Sequence, residues 1–327
     1  MYSLVILKGI LPARYLNNFF LYVYGIYTPL GDSISTNYIT LSEACLTKFV
    51  IEMEELYGVS RCTFNIHCLT HLAHCVKDCS PLWATSAFNF EAHNHVLLNM
   101  FSGTQHVPEQ IVNNFLLKNK VASLTRSCID DNCSPTVSNA LNKLADSRKY
   151  EHGTVCDGLS FLGSQKLIDI DARQTLAVQN LLGSDVINQS GTVYDRFIYG
   201  HKLFCSRSYT RAKRHSNYCI SFEHHSYKYG SILSLLQIHP SCQCDYVRFQ
   251  YCKCAKYNVV IVKPLLINNR AVFTDVDFKV SSYFISELRD VDNVIAIFPE
   301  QIKRKCISIS VAGQMYVCPL PYRIYGD

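Results

Sequence analysis

No apolar run in the 327 residues comes near the ~20 that a helix needs to cross a bilayer. The longest candidate, Phe19 to Tyr27, is about half that length and reads as buried helix. A secretion leader is missing as well. The opening MYSLVILKGILPARY has no basic start, Lys8 interrupts its apolar stretch, and no small-residue cleavage site follows. It reads as chain that once continued upstream. There is no Walker loop, no dinucleotide fingerprint and no G-x-S-x-G elbow, so the sequence offers no motif for those nucleotide-binding and hydrolase classes.

Cysteine, by contrast, is plentiful. Sixteen cysteines spread along a chain without a leader point to reduced thiols rather than a disulfide framework. An intracellular protein is expected, in the nucleus rather than the cytoplasm. With 12 histidines also present, chance Cys–His pairs are inevitable, and no nucleophile is read from them. Apolar residues make up 48% of the chain, enough to bury the cores of two domains of ~100–200 residues each.

Charge is uneven. Residues 1–150 hold 11 Lys/Arg and 11 Asp/Glu, whereas residues 151–327 hold 20 and 15, so the net +5 belongs to the second half. That imbalance points to an anionic partner for the second half.

The first 120 or so residues carry helical texture. Pro12 opens ARYLNNFFLYVYGIY, which stops before Pro29. Thr40 and Glu43 have the spacing of a capping box, predicting a helix from Thr40 to Gly58. Further helices are expected over 64–79, over 88–101 and after Pro108, where Ile111, Val112, Phe115 and Leu116 share a face. Trp83, the one tryptophan, and Phe90 are expected in the core where two helices meet.

Residues 124–160 lose this periodicity and read as a linker with one short helix at 136–146. From 161 onward, short runs rich in β-branched and aromatic residues alternate with turn signals, among them KLFCSRSYT, SILSLLQI, NVVIVKPLLI, CISISV and QMYVCPL. The fold class is therefore α+β. A helical domain over 1–123 is followed, after the linker, by a β-rich domain over 161–327 that is expected to form a sheet or small barrel.

Three clusters carry chemistry. His67, His71 and His74 are spaced to share one helix face, as a zinc site requires, yet no cysteine pair or supporting acid is evident beside them. Cys242, Cys244, Cys252 and Cys254 place four thiols within 13 residues. On two paired strands, residues i and i+2 point to one face, so the four could surround zinc, though the C-x-C spacing departs from the usual C-x₂-C. The third cluster is basic: Lys202, Arg207, Arg211, Lys213 and Arg214, interleaved with Phe204 and Tyr209. Between 200 and 230 there are six Lys/Arg against the single acid Glu223, a composition suited to phosphate contacts or to a solvated face. Lys303, Arg304 and Lys305 form a smaller cluster of the same kind.

The block from Phe64 to Thr104 resembles a segment of CACTA-type DNA transposases. Asn65, His67, Leu69, His71, Leu72, Pro81, Leu82, Trp83, Phe90, Glu91, Gly103 and Thr104 carry the likeness. The preceding helices fit the helical insertion of that family, and the ending YVCPLPYRIYGD is similar to the β-rich tail of its animal members. The resemblance implies a ribonuclease-H-like core in which three carboxylates gather two metal ions that activate the attacking oxygen and stabilise the leaving one. Glu91 matches the last of those acids.

The two aspartates that should precede it are missing. Only Asp32 and Asp78 lie before Glu91, one in a Gly-Asp-Ser turn and one at a helix end. One carboxylate cannot hold two divalent cations, because Mg²⁺ demands near-octahedral oxygen coordination. Glu91 is then a vestige, or an acid that favours the helix dipole. The expected function is a catalytically inactive, transposon-derived binding protein for nucleic acid or protein. Two alternatives stand beside it: an enzyme subunit whose aspartates come from elsewhere, and a protein-docking module without DNA binding.

Overall fold

The computed structural model describes residues 2–128, 134, 136–137, 152–156, 158–163, 166–183, 190–200, 202–209, 217–238, 256–269, 272–275 and 280–321. These form two compact units, one over Met1–Trp83 and Gly153–Asp327 and the other over Ala84–His152.

The first unit begins with helices α1 (Tyr2–Leu7), α2 (Ala13–Tyr27) and α3 (Thr36–Tyr57). As expected, α2 follows Pro12, whose missing N–H costs nothing at a helix start. The capping box at Thr40 is not used. The helix starts one turn earlier, and the Thr40 hydroxyl instead donates to the Thr36 carbonyl at 3.1 Å. Helices α2 and α3 run antiparallel. Arg14 meets Glu55, Asn18 donates to the Phe49 carbonyl at 3.2 Å, and Ser42 donates to the Gly25 carbonyl at 2.7 Å. A Cβ on Gly25 would come within 2.5 Å of Leu46 Cγ, so this glycine sets how closely the two helices approach.

Two short helices follow, α4 (Phe64–Cys68) and α5 (Leu72–Cys79), joined by a 3₁₀ turn over Leu69–His71. The chain leaves α5 through Ser80 at φ 85°, immediately before Pro81. The second unit contains α6 (Phe88–Leu98) and α7 (Val107–Cys128).

The β region has a closed ring at its centre. Strands β1 (His152–Cys156), β2 (Leu159–Leu162), β3 (Lys166–Asp169), β4 (Ser190–Tyr194), β5 (Arg196–Tyr199), β6 (Lys202–Cys205), β7 (Cys219–Phe222) and β8 (Tyr229–Ile238) come first, with helix α8 (Ala172–Leu182) between β3 and β4. Then come β9 (Tyr257–Asn269), the two-residue β10 (Thr274–Asp275) and β11 (Val280–Ser281), β12 (Ser286–Asp290), β13 (Ile295–Ile297), β14 (Ile302–Val311) and β15 (Gln314–Pro319). Strands β9, β12, β15, β14, β7 and β8 pair in that order, and β8 returns to β9, closing a six-stranded antiparallel barrel. The small barrel expected from the sequence is present. Closure removes the free edges that an open sheet would offer to other chains.

Each barrel strand sends one buried side chain into a shared interior cluster: Cys219, Tyr229, Leu265, Leu288, Cys306 and Val317. Residues from six strands can meet in this way only in the lumen, which is packed. Outside, β2, β5 and β6 lay Leu159, Phe161, Phe197 and Phe204 over Ile220, Ile232 and Val262 of the barrel wall. Helix α8 covers a third cluster around Leu236, Val259 and Ile261. The β14–β15 hairpin turns through Ala312 (φ 50°) and Gly313 (φ 79°), two consecutive positive φ values that match the twist of its strands.

The division into a helical domain over 1–123 and a β-rich domain over 161–327 differs from the units found. Leu4, Phe20, Tyr24 and Tyr27 share one core with Phe273, Phe284, Ile285 and Tyr316. Tyr27 stacks on Phe284 with ring centres 4.3 Å apart. The aromatic richness of α2, read locally as a buried helix, is explained by partners some 250 residues downstream.

Candidate nucleic-acid interface

Of the five basic residues in the predicted cluster, Lys202 and Arg207 are described; Arg211, Lys213 and Arg214 lie outside the described residues. Lys202 opens β6 opposite Tyr199, in register with Phe204 opposite Phe197. Alternation along the strand puts Lys202 and Phe204 on one face. Phe204 is buried in the barrel-facing cluster, while Lys202 is half-buried at its edge. Lys305 reaches over Phe204 from the neighbouring barrel wall, its Nζ 5.8 Å from the ring centre. Lys305 of the smaller basic cluster thus reaches the strand that carries Lys202.

Arg207 occupies the turn after β6. Its backbone N–H is anchored to the Ile232 carbonyl at 2.8 Å, its side chain is exposed, and it forms no ion pair among the described residues. Beside it the Arg196 guanidinium lies 5.0 Å from the ring centre of Tyr209, a cation–π contact. Two acids belong to the same flank. Asp195 accepts from Lys166 at 2.7 Å and from the Ser206 hydroxyl at 3.2 Å, and Glu223 accepts from Lys303 at 2.6 Å. That ion pair holds the fully exposed Glu223 carboxyl below the usual carboxylate range. Arg304 is committed elsewhere, donating to the carbonyls of Leu320 and Pro321 at 3.3 and 3.1 Å. Lys202 and Lys305 thus add positive charge beside Phe204, and Arg207 and Arg196 add more at the following turn and at the start of β5.

A groove of about 810 Å³ lies nearby, between α8, the turn at 224–227 and residues 292–296. One wall is a ladder of rings. His224 stacks on His225 with centres 4.0 Å apart and on Tyr227 at 5.5 Å. Burial, and after it the neighbouring His225, lowers the proton affinity of His224, so its neutral form is favoured. Arg173, paired with Asp292 at 2.9 Å, lies along the opposite side. The groove touches the basic flank at Gln301, whose amide donates to the Glu223 carbonyl at 3.0 Å. This wall leaves almost no mark in the sequence. Its only trace is the His-His-Ser-Tyr turn between two strands, and a pair of adjacent histidines does not reveal that their rings will stack.

The other predicted residues fall into three groups. Cys242, Cys244, Cys252 and Cys254 lie outside the described residues, so the zinc expectation there keeps its sequence basis alone. Glu91 sits exposed in the first turn of α6, in the unit Ala84–His152, while Asp32 and Asp78 belong to the other unit. Asp78 is engaged by His74 at 3.3 Å. Among the described residues no three of His, Cys, Asp or Glu gather as a metal site. Of the helical histidines, His67 and His71 meet and His74 turns away to Asp78.

Two core expectations meet different outcomes. Trp83 is half-buried, whereas Phe90 is 69% exposed and is not a core residue. The α7 face behaves likewise, with Val112, Phe115 and Leu116 all exposed. The helix is there, but its apolar face is not covered within the chain as described.

No protein-family model, curated protein or solved structure matches this chain. Among the described residues no helix is long and apolar enough to cross a membrane.

Proposed function

We propose that this chain is a transposon-derived protein that binds nucleic acid without cutting it, using the flank of its barrel. The observation carrying the reading is that Lys305 of β14 overlies Phe204, which shares a strand face with Lys202, while exposed Arg207 follows in the next turn, so basic side chains from two parts of the sequence gather at one place on the flank. Basic side chains gathered in this way meet a phosphate backbone by charge, without reading bases. The adjoining ring ladder of His224, His225 and Tyr227 adds a surface on which an unpaired base could stack. The transposase ancestry rests on the resemblance carried by Asn65, His67, Pro81, Trp83 and Glu91, and a nuclear location follows from the same reading.

The test is binding of the full chain to a labelled duplex and to a labelled single strand over a range of salt. Affinity is expected to fall log-linearly as salt rises and to be indifferent to sequence. Replacing Arg196, Arg207 and Lys305 together by alanine should flatten the slope by up to about three units if each touches one phosphate. Binding that is absent at low salt, or unchanged in the triple variant, overturns the proposal.

A second reading, protein docking, draws on the unit Ala84–His152. There Phe90, Leu98, Val112, Phe115, Leu116 and Leu117 are all exposed, more apolar surface than scattered single residues account for. Duplex binding that survives removal of residues 84–152 separates this surface from the basic flank.

A further inference from the structure

The Nε2 atoms of His67 and His71 are 3.2 Å apart, close enough for one ring to donate to the other, and their ring centres are 5.0 Å apart. Two nitrogens each ~2.0–2.1 Å from one tetrahedral zinc ion stand ~3.3–3.4 Å apart, so the two rings already hold nearly the separation that a shared ion requires.

The backbone beneath is fixed before any metal arrives. His67 ends the first turn of α4, its N–H held by the Thr63 carbonyl at 3.1 Å and its carbonyl by the Thr70 hydroxyl at 2.7 Å. Ile66 and Leu69 pack against the core that α2 and α3 share with the barrel. His71 ends the 3₁₀ turn and stands at the N-cap position of α5. Both imidazoles are exposed, so an ion reaches them directly.

We propose that His67 and His71 form a two-histidine clamp for a divalent zinc ion, spanning the break between α4 and α5. Imidazole nitrogens are preferred zinc ligands, and tetrahedral zinc leaves two further positions. Among the described residues no third His, Cys, Asp or Glu joins the pair, so those positions fall to water or to donors from another molecule. The bound ion ties α4 to the 3₁₀ turn that leads into α5 and stiffens the joint between the two helices.

The chain's many thiols make bulk zinc uptake uninformative, so the test reads these two rings themselves. The full chain is titrated with zinc while long-range ¹H–¹⁵N spectra follow the histidine ring nitrogens. The Nε2 signals of His67 and His71 are expected to shift together with a single midpoint. In His67→Ala the response of His71 should disappear or need at least ~10-fold more zinc, because the second ligand no longer acts at high effective concentration. His71→Asn should do the same to His67, and it stands in if the first variant does not fold. Two different midpoints, an unchanged His71 response in His67→Ala, or no shift of either ring at any zinc concentration overturns the clamp.

Discussion

The hydroxyl of Tyr27 donates a 2.9 Å hydrogen bond to the carbonyl of Pro319, 292 residues further along the chain. It joins the end of α2 to the last barrel strand. Burial pushes the Tyr27 phenol well above its usual range, so the group stays a donor at any ordinary pH. Tyr27→Phe removes the donor and keeps the ring on Phe284. It should lower stability by about 1 kcal/mol, seen as a lower urea midpoint with an unchanged slope. An unshifted midpoint would mean that the bond adds nothing over hydration.

Because α1–α3 and the barrel share a core, residues 161–327 alone should not fold. That fragment would leave Phe273, Phe284, Ile285 and Tyr316 without the helices that cover them. Size-exclusion chromatography and near-ultraviolet dichroism of the fragment check this. A monomer with fixed aromatic signals would restore the barrel as an independent domain.

Gly25→Ala tests the approach of α2 to α3. Helix propensity favours alanine, yet the new methyl meets Leu46, and overpacking of this kind costs roughly 1–3 kcal/mol. A loss is therefore expected, and the double variant Gly25→Ala, Leu46→Ala should not show the sum of the two single effects. A stabilised Gly25→Ala would place the gap between the helices wider than found.

The thiols divide into two classes. Burial, and then the nearby Asp275, pushes Cys45 up to about 12; burial alone does the same for Cys318, and Cys306 is raised by burial and by Cys219 facing it in the barrel. In the folded protein these groups keep their protons where the unfolded chain would lose them. Their contribution to stability is thus complete below the ordinary thiol range and is lost as pH climbs from ~9 to ~12. Urea midpoints should fall across that window. At pH 8 an alkylating reagent should modify exposed Cys62, Cys75 and Cys79 in the native protein and spare Cys45, Cys219, Cys306 and Cys318 until it unfolds. Equal labelling rates would contradict this burial pattern.

How much of this was legible in the sequence depended on whether the deciding contact was local. Pro12 and Pro81 bound helices through backbone chemistry, and Ala312-Gly313 turns a hairpin where a turn was expected; such signals act over a few residues. The strands of the barrel were readable from β-branched runs such as NVVIVKPLLI, and so was the fold class. Closure of the ring was not, because β8 with β9 and β14 with β7 pair across gaps that carry no pairing code. The capping box at Thr40 was a true spacing that competed with an earlier start at Thr36. At the candidate interface, Lys202 and Arg207 could be named from local charge density. Lys305 could not be joined to them, since only the packing of β14 beside β6 carries it over Phe204.

The long span from α2 to β15 has a consequence for biosynthesis. A ribosome delivers the chain from the N-terminus, so α2 emerges long before Phe273, Phe284 and Tyr316 exist to receive Phe20 and Tyr24. Until the closing hairpin is made, those rings stay uncovered and the six-stranded ring stays open at two edges. The nascent protein should therefore be a long-lived client of chaperones, and premature termination anywhere before the last hairpin should yield an aggregating product rather than a smaller folded one.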